Sequence, residues 1–166
     1  MQVVAHRGAS HEIAEHTLGA YREAIRTGAD GLECDVRLTA DGHLVCVHDR
    51  DLRRTAANSG VVSTMDLAEL DAFDFASWKN PWHDLDDEAP DLDPALNKVL
   101  TLRKLLETVA DADRRVELAI ETKHPTRYAG LVEQRIVETL RDFGWDRDGT
   151  PARVMSFSYT ALQRVE

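Results

Sequence analysis

"LECDV", residues 32–36, is the stretch on which the fold turns: two carboxylates, Glu33 and Asp35, alternate with Leu32, Cys34 and Val36. A period of two places the acids on one face of a strand and the apolar residues on the other. An ordinary half-exposed strand shows the same alternation, so the surroundings decide. In "VELAIETK", residues 116–123, Glu121 and Lys123 repeat the arrangement at the end of a largely apolar strand, where unpaired buried charges are costly. Two strands therefore aim charged groups at one place.

The rest of the chain alternates strands with amphipathic helices. "QVVAH" (2–6), "DGLECDVRLT" (30–39), "HLVCVHD" (43–49), "RVELAIETKH" (115–124) and "ARVMSFS" (152–158) read as strands. "HTLGAYREAIRTGAD" (16–30) is a helix with Leu18, Tyr21, Ala24 and Ile25 on one face, Thr17 as N-cap and Gly28 as its stop. "STMDLAELDAF" (63–73) is a short helix with a Ser or Thr cap, and "LTLRKLLETVADA" (100–112) and "RYAGLVEQRIVETLRDFG" (127–144) are longer ones. The acid- and proline-rich stretch 78–97 has no period and reads as a surface excursion. Alternation of this kind predicts an α/β fold. Five strands are fewer than a closed eight-stranded barrel of about 250 residues needs. The last segment, "YTALQRVE", opens a helix and gives it no cap. The expectation is one domain over 1–166, truncated on its C-terminal side.

Composition narrows the chemistry. The 166 residues are 43% hydrophobic and contain no apolar run that would span a bilayer. Nothing at the N-terminus resembles a secretory signal, so cytoplasmic residence without a stable membrane anchor is expected. A formal charge of −10 disfavours nucleic acid and anionic membrane surfaces as partners. Cys34 and Cys46 lie outside any metal-binding or disulfide spacing and read as packed thiols.

Carboxylates converging without companion His or Cys ligands make a hard, oxygen-rich site suited to one divalent cation, Mg²⁺ or Ca²⁺, with Glu33, Asp35 and Glu121 as ligands. Lys123 beside it would neutralise an anionic ligand or pair with Glu121. His6 and His48 each close a strand, where barrel enzymes assemble their sites, and imidazole moves protons near neutral pH. His11, His16, His43, His83 and His124 fall in loops or turns, where exposure is the expected state of most. If Asp41-Gly42 is a two-residue hairpin turn, Asp35 pairs directly with His48. A parallel barrel cannot use such a hairpin between successive strands; an irregular connection and an antiparallel second segment both remain open.

In order, "AHRGAS", "EHTLGAYREAI", "GADGLECDVRLTADGHLVCVHD", "LRRTAANSGVV", "IETK" and "SFS" resemble the signature of the glycerophosphodiester phosphodiesterases, phospholipase-C-like TIM-barrel enzymes. The resemblance covers nearly the whole chain. It implies a TIM-type (β/α)8 barrel of which this chain holds roughly the first five strands. It implies catalytic His6 and His48, metal ligands Glu33, Asp35 and Glu121, and phosphate-contacting Arg7 and Lys123. The implied reaction is metal-dependent hydrolysis of a small glycerophosphodiester to glycerol 3-phosphate and an alcohol. Two departures stand out. "AEHT" puts His16 where the family customarily has Asn, and "VLTLRKLL" replaces a Pro-Thr-Leu stretch. Rival readings are a phospholipase D-type enzyme of the same fold acting on lysophospholipids or sphingolipids, for which Trp78 and Trp82 are candidate contacts, and a non-catalytic partial barrel, with homo-oligomerisation covering its edges.

Overall fold

Strand β2 (Gly31–Leu38) organises the sheet, because it is paired along both edges. The computed structural model describes residues 1–80, 93–124 and 130–166. β1 (Val4–His6) runs parallel to the first half of β2, with His6 opposite Glu33. On the other edge β4 (Glu117–Thr122) is parallel to β2, with Asp35 opposite Glu121, and β5 (Ala152–Ser156) continues the parallel order.

β3 (Leu44–Cys46) departs from that order. It is antiparallel to the second half of β2, on the edge that β1 uses further back. This settles the connection after β2 as a hairpin and corrects the expected register. Val36 faces Cys46, and the Val47 N–H donates to the Asp35 carbonyl at 3.1 Å, so Asp35 lies opposite Val47 and not His48. The physical reason is a three-residue turn, 40–42, closed by Gly42 at φ 86°.

The three long helices lie on one side of the sheet. Leu32, Cys34, Val36 and Leu38 of β2 and Leu118 and Ile120 of β4 pack against α1 (Leu18–Arg26), α4 (Leu102–Ala110) and α5 (Leu131–Asp142) in one apolar cluster. A parallel sheet covered by helices on a single side, with charged residues on the other, is a segment of a (β/α) barrel. Thr17 caps α1, accepting from the Ala20 N–H at 3.2 Å, and Gly28 at φ 92° follows its end. Cys34 and Cys46 are buried free thiols.

Smaller differences from the sequence reading have local causes. The helix after 63 begins later, as α3 (Leu67–Leu70), and its cap is Asp66, whose capping box with Glu69 outcompetes the Ser-Thr pair. Ser63 and Thr64 belong to a 3₁₀ turn, Val62–Thr64. A short α2 (Arg53–Ala56) follows β3, and α6 (Tyr159–Val165) follows β5. Most of the 78–97 excursion, with Trp82 and His83, and the start of the helix expected over 127–144 lie outside the described residues.

Candidate active site

Arg7, His16 and Lys123 converge on Asp35 at the inner face of the sheet. The Asp35 side chain is fully buried and Glu33 is nearly so. One carboxyl oxygen each from Glu33, Asp35 and Glu121 lie within 4.8 Å of one another. Lys123 Nζ bridges two of these acids, 2.9 Å from Asp35 Oδ1 and 2.7 Å from Glu121 Oε1. Burial alone would depress the lysine's pKa, yet its contacts with Glu121 and Asp35 hold it above the usual range.

The segment that follows β1 delivers the other cation. Arg7 adopts φ 61°, unusual for a non-glycine residue, and the next residue, Gly8, has φ 80°. A Cβ on Gly8 would sit 2.7 Å from the Ala20 main-chain carbon, so only glycine fits against α1. The turn is fastened by the Arg7 N–H, which donates to the carbonyl and to Oε2 of Glu33, both at 3.1 Å. It places Arg7 Nε 2.9 Å from Asp35 Oδ2, close enough for an ion pair but poorly aligned for a hydrogen bond.

The two strand acids differ in charge state. Burial pushes Glu33 up to about 7, reinforced by the negative Asp35 and only partly offset by the Arg7 N–H. Burial acts on Asp35 in the same direction, but hydrogen bonding by His16 and contact with Lys123 outweigh it and hold Asp35 well below the ordinary carboxylate range. Among the described residues, Glu33 Oε1 and Asp35 Oδ1 are both buried without an aligned hydrogen-bond donor. A cation-binding site leaves oxygens in that condition, since buried polar atoms otherwise find partners. The donor set is all carboxylate, which fits Mg²⁺ or Ca²⁺.

The two strand-end histidines differ. His6 is largely exposed, with Nε2 3.7 Å from Glu33 Oε2, and its carbonyl accepts from Ser10 Oγ at 2.8 Å. His48 follows β3 and is held from both ends. Its carbonyl accepts two hydrogen bonds from Arg37, Nε at 3.0 Å and Nη2 at 2.8 Å, and its Nδ1 lies 2.8 Å from Asp49 Oδ1. Arg54 on α2 contacts Asp49 through Nε at 2.7 Å and Glu15 through both terminal nitrogens at 2.9 and 2.7 Å. Glu15 in turn contacts Arg7 at 3.2 Å. An unbroken run of charged groups thus joins His48 to Arg7.

His16 contradicts the expectation of exposure. It is 6% exposed and sits between Tyr21 and Asp35, with Nδ1 2.8 Å from the Tyr21 hydroxyl and Nε2 3.0 Å from Asp35 Oδ2. Reading it as a loop residue missed this because the inward turn depends on φ 60° at His16 and on a partner nineteen residues away. Arg37, Asp49, Arg54 and Glu15 were missed as well. Of these, Arg37 carries a sequence signal, since it continues the alternate face of Glu33 and Asp35. His124, expected in a loop, is half-buried with Nε2 3.0 Å from the buried Glu133.

Fold and geometry define an α/β-barrel protein with a carboxylate site on the inner face, where β1, β2 and β4 meet. Residues 6–166 match the model of the glycerophosphoryl diester phosphodiesterase family, and the chain belongs to that family. It is 48% identical, over 98% of its length, to a probable glycerophosphodiester phosphodiesterase 1 of Mycobacterium tuberculosis. To a glycerophosphodiester phosphodiesterase of Bacillus subtilis it is 34% identical, also over 98% of its length. Among solved structures it is similar to an Oleispira antarctica phosphodiesterase in complex with the product sn-glycerol-3-phosphate, with a TM-score of 0.82 and 30% identity over 99% of this chain. The chain spans 59% of the M. tuberculosis relative, 54% of the B. subtilis one and 60% of the Oleispira chain.

Proposed function

We propose that this protein hydrolyses small glycerophosphodiesters to glycerol 3-phosphate and a free alcohol, using a divalent cation, Mg²⁺ or Ca²⁺, held by Glu33, Asp35 and Glu121. The observation that carries the reading is the pair of buried oxygens beside Glu121, Glu33 Oε1 and Asp35 Oδ1, which have no aligned donor among the described residues. The product named for the Oleispira relative supports the substrate class.

Bound there, the cation supplies Lewis-acid polarisation of a phosphate oxygen. Arg7 and Lys123 offset the remaining phosphate charge as it grows toward the transition state. His6 and His48 exchange protons with the attacking and departing oxygens. With Nδ1 of His48 engaged by Asp49, its Nε2 is the atom free to do so. The attacking oxygen is water or the adjacent glycerol hydroxyl. The second route passes through a cyclic phosphate, which phosphorus NMR during turnover would reveal.

We read residues 1–166 as one cytoplasmic domain of a barrel that continues past β5, which fits the exposed Val3, Val4, Phe157 and Tyr159 beside its outer strands. No helix among the described residues is long and apolar enough to cross a membrane. The lipid-directed alternative loses part of its motive, because the Trp78 indole donates to the Phe75 carbonyl at 2.9 Å and its ring lies beneath Arg54. The test is release of glycerol 3-phosphate from glycerophosphocholine and glycerophosphoethanolamine. Turnover should stop on chelation and return with added Mg²⁺ or Ca²⁺. Full activity in EDTA would remove the cation from the reaction, and no release from either substrate would remove the substrate class.

A further inference from the structure

Asp35 is surrounded by three nitrogens, yet among the described residues only His16 Nε2 meets its carboxylate in hydrogen-bond alignment. Arg7 and Lys123 contribute charge at 2.9 Å each, Arg7 at Oδ2 and Lys123 at Oδ1. Both Arg7 and His16 hold left-handed backbone, at φ 61° and 60°, and the His16 N–H donates to the Arg7 carbonyl at 3.1 Å. Strained non-glycine residues persist where surrounding contacts over-determine them. Here two of them are tied together, and both reach the same oxygen, Asp35 Oδ2.

Counting protons fixes how the imidazole is used. The Tyr21 hydroxyl has one proton and two neighbours, His16 Nδ1 at 2.8 Å and the Glu33 carbonyl at 3.1 Å. The Glu33 carbonyl already accepts from the Arg7 N–H. Asp35 is an acceptor, so a neutral imidazole must carry its single proton on Nε2 to meet it. An imidazolium meets Asp35 through the same Nε2–H, and in either form Nδ1 faces the Tyr21 hydroxyl, which itself donates to the Glu33 carbonyl.

We propose that His16 is a positioning residue for the cation site. Its Nε2–H occupies Asp35 Oδ2 and leaves Oδ1, the oxygen that meets Lys123, for the cation, while Tyr21 holds the ring from the Nδ1 side. The inference rests on the ligand assignment proposed above and adds to it a residue that never touches substrate or metal. Loss of a partner that orients a ligand in this way typically weakens cation affinity by about 10–100-fold.

The test has two readouts. Long-range proton–nitrogen NMR of the chelated protein should show His16 protonated on Nε2; a bare Nε2 overturns the contact with Asp35. Calorimetric titration with Mg²⁺ and with Ca²⁺ should show His16→Ala weakened by about 10–100-fold. His16→Asn should recover most of that loss, since an amide can donate to Asp35 and Asn tolerates left-handed backbone. Wild-type affinity in His16→Ala, or His16→Asn as weak as His16→Ala, overturns the role. Tyr21→Phe removes only a hydroxyl and guards against misfolding of the alanine variant. It should loosen the ring and bind the cation less tightly, and unchanged affinity overturns the hold that Tyr21 is given on His16. Glu121→Gln separates the two claims: if it binds like wild type the ligand assignment fails, whatever His16 does.

Discussion

The two faces of β2 obey opposite rules. Toward the helices, Leu32, Cys34, Val36 and Leu38 are buried among apolar side chains. Toward the barrel interior, Glu33 and Asp35 are buried just as deeply, with Arg37 half-buried beside them. The first face stabilises the fold by removing hydrocarbon from water. On the second, Glu33 opposes it, because burial disfavours its charged form, whereas the partners of Asp35 outweigh the cost of burying that acid. One strand of eight residues therefore separates stability from chemistry by alternation alone.

The largest expected effect belongs to the inner face. His48→Ala should lower turnover by about 10²–10⁴-fold, the usual contribution of a positioned acid or base, with an unchanged thermal transition. Near-normal turnover would remove His48 from the reaction and weaken the contrast. The helix face should behave in reverse. Leu118→Ala, at a fully buried position, should destabilise the fold by about 2–5 kcal/mol in denaturant titration while leaving cation affinity within about twofold, since differences that small fall inside ordinary context dependence. A large loss of affinity there would show that the faces are not independent.

The smallest effect sharpens the electrostatic side. In chelated protein burial and the neighbouring Asp35 push Glu33 up to about 7 from its ordinary 4.5. The folded state thus binds the proton more tightly than the unfolded one. Stability associated with this group is present below the unfolded pKa and falls as pH rises through the window from 4.5 to about 7. The buried neutral His16 has the opposite sign, stabilising above its unfolded pKa of 6.5, so wild type alone would mix the two. Compared with Glu33→Gln, wild type should lose up to about 3 kcal/mol of relative stability across that window. A flat difference would show that Glu33 is not the strained member of the pair.

Much of this was legible in the sequence, because strand alternation is local. Glu33, Asp35, Glu121 and Lys123 could be placed together from their spacing, and the parallel register delivers them to one point. Thr17 and Gly28 mark α1 through short-range capping chemistry. What was illegible depends on backbone that sequence periodicity does not report. The one-residue change in hairpin register comes from left-handed Gly42. His16 turns inward at positive φ toward a partner on another element. Arg54 reaches Glu15 across thirty-nine residues, a pairing that no local pattern encodes.

The central claim is that the inner face of β2 is built for a cation and not for an internal salt bridge. Anomalous diffraction from crystals soaked in Mn²⁺, standing in for Mg²⁺, tests it most directly. One peak is expected, bounded by Glu33, Asp35 and Glu121, with Glu33 Oε1 and Asp35 Oδ1 among its neighbours. No peak there at saturating Mn²⁺, with Lys123 still bridging Asp35 and Glu121, would contradict it.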